Sequence, residues 1–284
     1  MLSPSCSIIN RENIQILEVN NTLASAKIAL FGGQMLSFKP KHDLRERFWL
    51  SEKAKFDGKE AIRGGVPVCW PWFGDHGIKL QHPENKDFPS HGYVRRQLWK
   101  ISYTVDTKDG TEIGLSPTTS HGIGFSGDAQ LQLIINIGEQ CAMQLVTSNI
   151  GKDNFTYGCA LHSYFDINTI NNIRLHGLSG AYLDKTRGMQ SFETPSPYIF
   201  NGETDRVHLC QAQNVEIEYA NIATKIYSQG HDSIVVWNPW QNKSIAMGDM
   251  QNDGYLTMVC VETAITQGQV VKPNEQHILS QVVS

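Results

Sequence analysis

Two ionisable residues stand in stretches of the sequence that are otherwise apolar. Glu262 lies within Met258–Ala264, and a carboxylate in so apolar a strand is costly unless it is paired or protonated. By strand alternation, His162 shares a face with Ala160 and Tyr164, on the more polar side of its segment. Each alone has an ordinary explanation: a structural ion pair for Glu262, a satisfied core histidine for His162. Together they could lie on opposite sides of one small substrate, one donating a proton and the other accepting one.

A second unusual stretch, Arg63–Gly74, combines two prolines, three glycines and two tryptophans in twelve residues. The glycines permit close backbone approach, and the flat faces of Trp70 and Trp72 suit the apolar C–H faces of sugars. The alternative is a rigid loop whose aromatic side chains belong to the core. Arg63, if it is buried, requires an anionic partner.

A third stretch, His91–Arg96, follows two further histidines, His76 and His82. Histidine is the commonest metal ligand, but these spacings match no tight two-histidine pattern, and no cysteine or carboxylate falls in register. Arg95 or Arg96 could instead hold a phosphate through two parallel hydrogen bonds. For either arginine, a solvated surface charge is the competing explanation.

The elements that must position these side chains are predicted to be β-strands. Apolar residues alternate along Leu131–Ile137 and Met143–Asn149, and Ile14–Val19 and Ile234–Trp237 are also typical of strands. We find no segment of twelve or more residues with helical periodicity and no repeat, which favours an all-β sandwich or barrel. The long polar stretch Gly74–Ser90 is predicted to be a functional loop.

Composition restricts the partners. The chain has 284 residues, of which 18% are charged, and 24 Lys and Arg against 28 Asp and Glu give a formal net charge of −4. The chain is too apolar for disorder, and without a basic excess we expect no nucleic-acid or membrane partner. The longest apolar runs fall far short of the roughly 20 residues that span a bilayer. Six scattered cysteines without a secretion signal predict free thiols and a cytoplasmic location.

Several unusual blocks also occur together in one known family. In order, they are RGGVPVCWPWFG, HGYVRR, LHSYFDI, TDRVH, VVWNPW and MVCVE. Over nearly its whole length the sequence resembles the hexose-6-phosphate mutarotase (glucose-6-phosphate 1-epimerase) branch of the aldose 1-epimerase superfamily. The resemblance implies one galactose mutarotase-like domain over residues 1–284, a large antiparallel β-sandwich with few short helices. It also implies an isomerase that interconverts the α and β anomers of an aldohexose 6-phosphate without metal or organic cofactor. We expect a monomer whose partner is a small-molecule sugar phosphate.

The resemblance assigns roles to particular residues. His162 matches the family's general acid and Glu262 its general base. We expect Glu262 to be ionised and His162 to be protonated at rest, because their mutual attraction favours that pairing. The predicted substrate-binding residues are Arg63, His91, Arg95, Asp205 and Trp237.

Within that set, Arg63 and Arg95 match cations that contact sugar or phosphate, and Asp205 matches an acidic residue near the sugar hydroxyls. His91 matches a residue that lines the same pocket. The two arginines favour a phosphorylated substrate without excluding a neutral one.

Two other classes of function compete with the mutarotase. A non-catalytic carbohydrate-binding or sensing protein on the same sandwich would use aromatic stacking platforms, namely Trp70, Trp72, Trp237 and Trp240. A glycoside-processing enzyme would need two carboxylates on either side of the scissile bond, for which Glu262 and Asp205 are the candidates.

Overall fold

About half of the residues lie in β-strands in the computed structural model, which describes residues 1–75, 88–220 and 222–284. The strands form three antiparallel sheets. The first sheet contains, in spatial order, β1 (Cys6–Arg11), β2 (Ile14–Asn20), β3 (Ala24–Ala29) and β4 (Gln34–Pro40).

The second sheet carries the candidate site. Its spatial order is β14 (Gln190–Glu193), β13 (Ala181–Asp184), β15 (Thr204–His208), β18 (Ser233–Asn238), β19 (Met258–Val271), β10 (Phe155–Leu161) and β5 (Val68–Cys69). One more strand, β11 (Tyr164–Asp166), pairs with β19 outside this path.

The third sheet forms the other half of the sandwich. Its spatial order is β12 (Arg174–His176), β16 (Asn214–Tyr219), β17 (Ile222–Gln229), β20 (Gln276–Val283), β9 (Cys141–Asn149), β8 (Ala129–Ile137), β7 (Gly110–Pro117) and β6 (Trp99–Thr107).

Helices are few and short. The α-helix found in the described residues is α1 (Trp240–Ala246), and four single 3₁₀ turns cover Val94–Arg96, Ile170–Asn172, Lys185–Arg187 and Gly254–Leu256. Among the described residues, no helix has both the length and the apolar character that crossing a bilayer requires.

The main hydrophobic core lies between the second and third sheets. Leu133 and Leu145 of the third sheet and Val259 and Val261 of the second belong to the same buried cluster. In β8, buried side chains alternate with more exposed ones, as expected of a sheet with one covered face. In β18 every residue is buried, so both faces of the second sheet are covered there. The face turned away from the main core is the one that carries the site.

The prediction of an all-β antiparallel sandwich with few short helices is confirmed. Strands β2, β8, β9 and β18 contain the four segments that alternation predicted. Helix α1 was not predicted, because seven residues are too few to display helical periodicity. Much of the predicted functional loop, including His76 and His82, lies outside the described residues.

Candidate active site

Strand register brings together side chains that are far apart in the sequence. Direct pairing across β15, β18, β19 and β11 aligns one row of four residues: Asp205, Trp237, Cys260 and Tyr164. In the neighbouring row, Val235 pairs with Glu262. Because side chains two residues apart share a face of a strand, Glu262 points to the same side as Cys260. Val261 points to the opposite side, into the main core.

His162 reaches this face from a break between β10 and β11. The His162 N–H donates to the carbonyl of Pro67, and the Ser163 N–H donates to the carbonyl of Leu161. The prediction that His162 lies within a continuous strand is therefore wrong, since these bonds turn the chain out of the strand ladder. The imidazole stacks on the ring of Tyr164, with 4.9 Å between centroids and 8° between planes.

The face borders a cavity of about 290 Å³. All of the residues that were predicted to form the site line it: His162, Glu262, Arg63, His91, Arg95, Asp205 and Trp237. Further lining comes from Phe73, Tyr164, Lys185 and Lys243. A cavity of this size suits a small polar molecule.

His162 and Glu262 are in direct contact at the base of this cavity. His162 Nδ1 lies 3.4 Å from Glu262 Oε1, and the two residues are 8% and 1% exposed. Within the described residues, neither His162 Nδ1 nor Glu262 Oε2 has a hydrogen-bond partner. Buried polar atoms are nearly always satisfied in folded proteins, so these two atoms are available to a ligand.

The cavity shifts the ionisation of both groups. Burial lowers the pKa of His162 well below its usual range, and the guanidinium groups of Arg95 and Arg63 lower it further. Burial raises the pKa of Glu262 well above its usual range, and the Asp205 carboxylate adds to the rise. Both shifts favour uncharged forms. These directions disagree with the expectation of an ionised Glu262 beside a protonated His162 at rest, because burial opposes the charge on each group.

Arg63, whose side chain is 26% exposed, has an acidic partner. Its Nε and Nη2 lie 3.2 and 3.1 Å from Asp249 Oδ2, and its Nη1 donates to the Tyr164 hydroxyl at 2.9 Å. The following loop depends on glycine: Gly65 has a φ of 60°, and a Cβ there would overlap the carbonyl oxygen of Met35. The Gly-rich block therefore holds Arg63 in a fixed position beside the catalytic-pair candidates.

His91 presents a defined tautomer. Its Nδ1 accepts a hydrogen bond from the Gly74 N–H at 3.2 Å, so that nitrogen carries no proton. Burial lowers the pKa of His91 well below its usual range, and Arg95 lowers it further. The ring is therefore neutral with its proton on Nε2, which makes it a hydrogen-bond donor.

The two adjacent arginines differ in position. Arg95 lies in the 3₁₀ turn Val94–Arg96 and donates from Nη2 to the Ser90 carbonyl at 2.7 Å, while its buried Nε has no partner among the described residues. Arg96 is paired with Glu60 at 3.0 Å on the surface, and it does not line the cavity. Arg95 is therefore the better placed of the two to meet an anion in the cavity.

Further charge comes from outside the predicted set. Lys185 Nζ lies 3.3 Å from Asp205 Oδ2, and burial raises the pKa of Asp205 although Lys185 opposes the rise. Lys243, on α1, is paired with Glu203 at 2.9 Å. Basic side chains that line the cavity outnumber acidic ones: Arg63, Arg95, Lys185 and Lys243 against Asp205 and Glu262. Three of these cations are paired with carboxylates, whereas Arg95 has no carboxylate partner among the described residues and is the one available to an anionic ligand.

Burial decides whether the tryptophans of the Gly-rich block can contact a sugar. Trp70 and Trp72 are 0% and 4% exposed and belong to the main core, so they offer no face to a sugar.

Two residues that line the cavity, Tyr164 and Lys185, were not predicted as site residues from the sequence. For Tyr164 a signal existed, namely its place two residues after His162. For Lys185 there was none, because nothing in its surroundings distinguishes it from a surface lysine. His91 belongs to no group of three potential metal ligands in the described part of the chain.

Comparison with known proteins covers nearly the whole chain. The family model described as Aldose 1-epimerase matches residues 15–284. An Escherichia coli (strain K12) protein named "Putative glucose-6-phosphate 1-epimerase" is 31% identical over 289 residues, which cover 99% of this chain and 94% of that protein. The crystal structure of "a putative mutarotase (YeaD)" from Salmonella typhimurium matches with a TM-score of 0.90 and 30% identity, covering 100% of this chain and 94% of that one. A galactose mutarotase-like protein from Clostridium acetobutylicum, 16% identical, shares the fold with a TM-score of 0.76, covering 98% of this chain and 97% of that one.

Proposed function

The chain belongs to the aldose 1-epimerase family and is an isomerase of that type, and we propose that its substrate is an aldohexose 6-phosphate, glucose 6-phosphate first. The observation that carries the proposal is the contact between His162 and Glu262, 3.4 Å apart, in a cavity that basic side chains border. The names of the related proteins support the same substrate. A pair that exchanges a proton suits ring opening, and the cations suit a phosphate.

In the proposed reaction His162 is the general acid and Glu262 the general base. Glu262 Oε2 takes the proton of the C1 hydroxyl, and the electrons of that O–H bond form the C1 carbonyl. The bond between C1 and the ring oxygen breaks, and the ring oxygen takes a proton from His162 Nε2. Rotation about C1–C2 presents the other face of the aldehyde, and the same two groups close the ring in reverse. Each positioned proton transfer contributes on the order of 10²–10⁴-fold.

The substrate's own phosphate is proposed to prepare the pair. In the free enzyme, Arg95 and Arg63 oppose a positive charge on His162. A phosphate dianion bound beside Arg95 neutralises that field, so a proton can move from Glu262 to His162 within the existing contact. The pair then has the charges that the reaction needs. A phosphorylated sugar would thus be turned over faster than a neutral one.

The remaining residues are proposed to orient the sugar. His91 donates from Nε2 to a sugar oxygen, because its other nitrogen already accepts from the backbone. Asp205 accepts from hydroxyl groups while Lys185 holds it in place. Trp237, 8% exposed at the cavity wall, contacts the apolar face of the ring.

The phosphate assignment is tested by comparing substrates. We expect Arg95→Met to lower kcat/KM for glucose 6-phosphate roughly 10–100-fold, as the loss of a charge-assisted hydrogen bond implies. The rate for glucose, measured by anomer-resolved NMR at the same pH, should change much less. Arg96→Met is the matched control, because it removes the adjacent guanidinium that faces Glu60. Equal losses on both sugars, or an equal effect of Arg96→Met, would contradict the assignment.

A non-catalytic sugar-binding role is less well supported. It depends on aromatic platforms, and Trp70 and Trp72 are buried in the core. It also gives no reason for two titratable side chains to be in contact at a cavity while each keeps a buried atom without a hydrogen-bond partner in the described residues. Saturable sugar binding without accelerated anomer exchange would favour it.

A further inference from the structure

A thiol stands next to the proton-transfer pair. Cys260 is paired with Trp237 and Tyr164 in the row of residues beside Glu262, and its side chain faces the same side of β19. One ligand atom each from His162, Cys260 and Glu262 lies within 4.8 Å of the other two. All three residues are buried. The proposed epimerase reaction makes no use of the thiol.

We propose that His162, Cys260 and Glu262 form a binding site for a thiophilic divalent cation such as Zn²⁺. Zn²⁺ takes imidazole nitrogen, thiolate sulfur and carboxylate oxygen as ligands. Three protein ligands with a fourth position left to water are an ordinary arrangement for this ion. The mixed nitrogen and sulfur set disfavours Mg²⁺ and Ca²⁺, which prefer oxygen.

The distances are close to those that such an ion needs. With metal–ligand bonds of about 2.0–2.3 Å, ligand atoms around a tetrahedral ion are roughly 3.3–3.7 Å apart. His162 Nδ1 and Glu262 Oε1 are already 3.4 Å apart. The thiol sulfur is within 4.8 Å of the other two ligand atoms, so it has to approach by at most about 1 Å, a shift on the scale of a side-chain rotation.

A second observation points to a ligand in the same place. His162 Nδ1 and Glu262 Oε2 are buried and have no hydrogen-bond partner in the described residues. Both atoms carry lone pairs when the groups are deprotonated. An ion bound by His162 Nδ1 and the Glu262 carboxylate would satisfy the imidazole nitrogen, and it would neutralise a carboxylate whose Oε2 has no other partner in the described residues. The cavity beside them gives the ion its path to the site.

The charge balance permits a divalent ion despite the neighbouring arginines. Binding displaces the Cys260 thiol proton and the Glu262 carboxyl proton to solvent, so two negative charges face the two positive charges of the ion. Asp205 adds a further negative charge at the cavity wall, and Lys185 offsets it. The thiolate is the ligand that makes the site selective, because it separates Zn²⁺ from harder cations.

An ion held by His162 and Glu262 removes both groups from proton transfer. Zn²⁺ is therefore expected to inhibit anomer exchange and to be competitive with the sugar, a consequence that rests on the proposed function. Binding itself does not rest on it, since the ligand atoms are present whatever the reaction.

The test is direct metal binding by the full-length protein under thiol-free reducing conditions. Cobalt(II) is added as a spectroscopic probe, and Zn²⁺ affinity is measured by competition with a chromogenic chelator. We expect a cobalt–thiolate charge-transfer band in the wild type and its loss in Cys260→Ser. Zn²⁺ affinity of that variant should fall at least about tenfold. Cys141→Ser is the control, because Cys141 is an equally buried thiol in the third sheet.

Each outcome has a defined meaning. No charge-transfer band in the wild type, or a band that survives in Cys260→Ser, overturns the metal site. If the serine variant does not fold, Cys260→Ala removes the thiol without burying a hydroxyl and answers the same question. Metal binding by a protein that does not accelerate anomer exchange without metal would refute the proposed function and leave the metal site standing.

Discussion

At the scale of single residues, the site consists of two buried ionisable groups, His162 and Glu262. Burial favours the uncharged form of each, whereas the proposed reaction needs a protonated His162 and an ionised Glu262. Burial lowers the pKa of His162 and raises that of Glu262, so both shifts favour the uncharged forms. Among the neighbouring charges, Arg95 contributes most to lowering the pKa of His162, so it opposes the protonation of His162. The sign of its effect can be measured.

The acid limb of the pH profile should respond to Arg95. Activity requires that His162 and Glu262 share one exchangeable proton. It is lost at low pH, where a second proton binds and gives His162 a positive charge while Glu262 is also protonated. Because the Arg95 cation lowers the pKa of His162, Arg95→Met should raise that pKa and move the acid limb of kcat/KM to higher pH. The measurement uses glucose, so that phosphate binding does not contribute. Arg96→Met should leave the limb where it is, and a shift of the Arg95→Met limb to lower pH would refute this account.

Sequence alone could predict which residue types form the site but not their partners. A carboxylate in the apolar strand Met258–Ala264 is conspicuous without coordinates, and so is a histidine in LHSYFDI. Their charge state could not be predicted from the sequence, because it depends on the balance between desolvation and the nearby arginines. Lys185 could not be identified, since its role arises only from the position of the turn after β13.

At the scale of elements, strand register explains why residues from distant parts of the chain meet. Asp205, Trp237 and Cys260 are neighbours because β15, β18 and β19 pair in that order. Alternation predicted the strands, but it carries no information about which strands pair. The break at His162 and Ser163 was also invisible, because the residues around it continue the alternating pattern.

The Gly-rich loop should be a sensitive element. Gly65→Ala places a Cβ against the Met35 carbonyl at a φ of 60°. Gly188→Ala is the matched control, since its φ is 64° but no atom lies near its Cβ position. The control should cost about 1–2 kcal/mol for the left-handed conformation. Gly65→Ala should cost at least about 2 kcal/mol more because of the overlap.

Urea denaturation measures both losses as a fall in the free energy of unfolding, provided that the m-value is unchanged. Equal losses in the two variants would show that the loop relaxes without cost. In that case the tight packing of the loop would not be what holds Arg63 in position.

At the scale of the whole molecule, one core connects the chain from end to end. The main cluster includes Leu17 near the N-terminus and Val283 near the C-terminus. The net charge of −4 coexists with a cavity in which basic residues predominate, so an anionic substrate depends on local placement rather than on overall charge. Overall composition could not predict this. The monomeric state and the cytoplasmic location remain predictions from sequence.

We propose that residues 1–284 form a single domain that unfolds as one unit. Differential scanning calorimetry should then show one transition, with the calorimetric enthalpy equal to the van't Hoff enthalpy. The physical reason is that all three sheets contribute to the main cluster, so none can unfold without exposing the others. Two resolved transitions would instead indicate separate domains.

The central claim is that His162 and Glu262 interconvert sugar anomers by proton transfer. Its most direct test is saturation transfer between the anomeric protons of glucose 6-phosphate, recorded by NMR with wild-type protein, His162→Asn and Glu262→Gln. Circular dichroism of each variant confirms that the sandwich is intact. The account predicts exchange well above the buffer rate for the wild type and a loss of about 10²–10⁴-fold in each variant. Wild-type exchange no faster than in buffer, or a folded variant that keeps the wild-type rate, would contradict it.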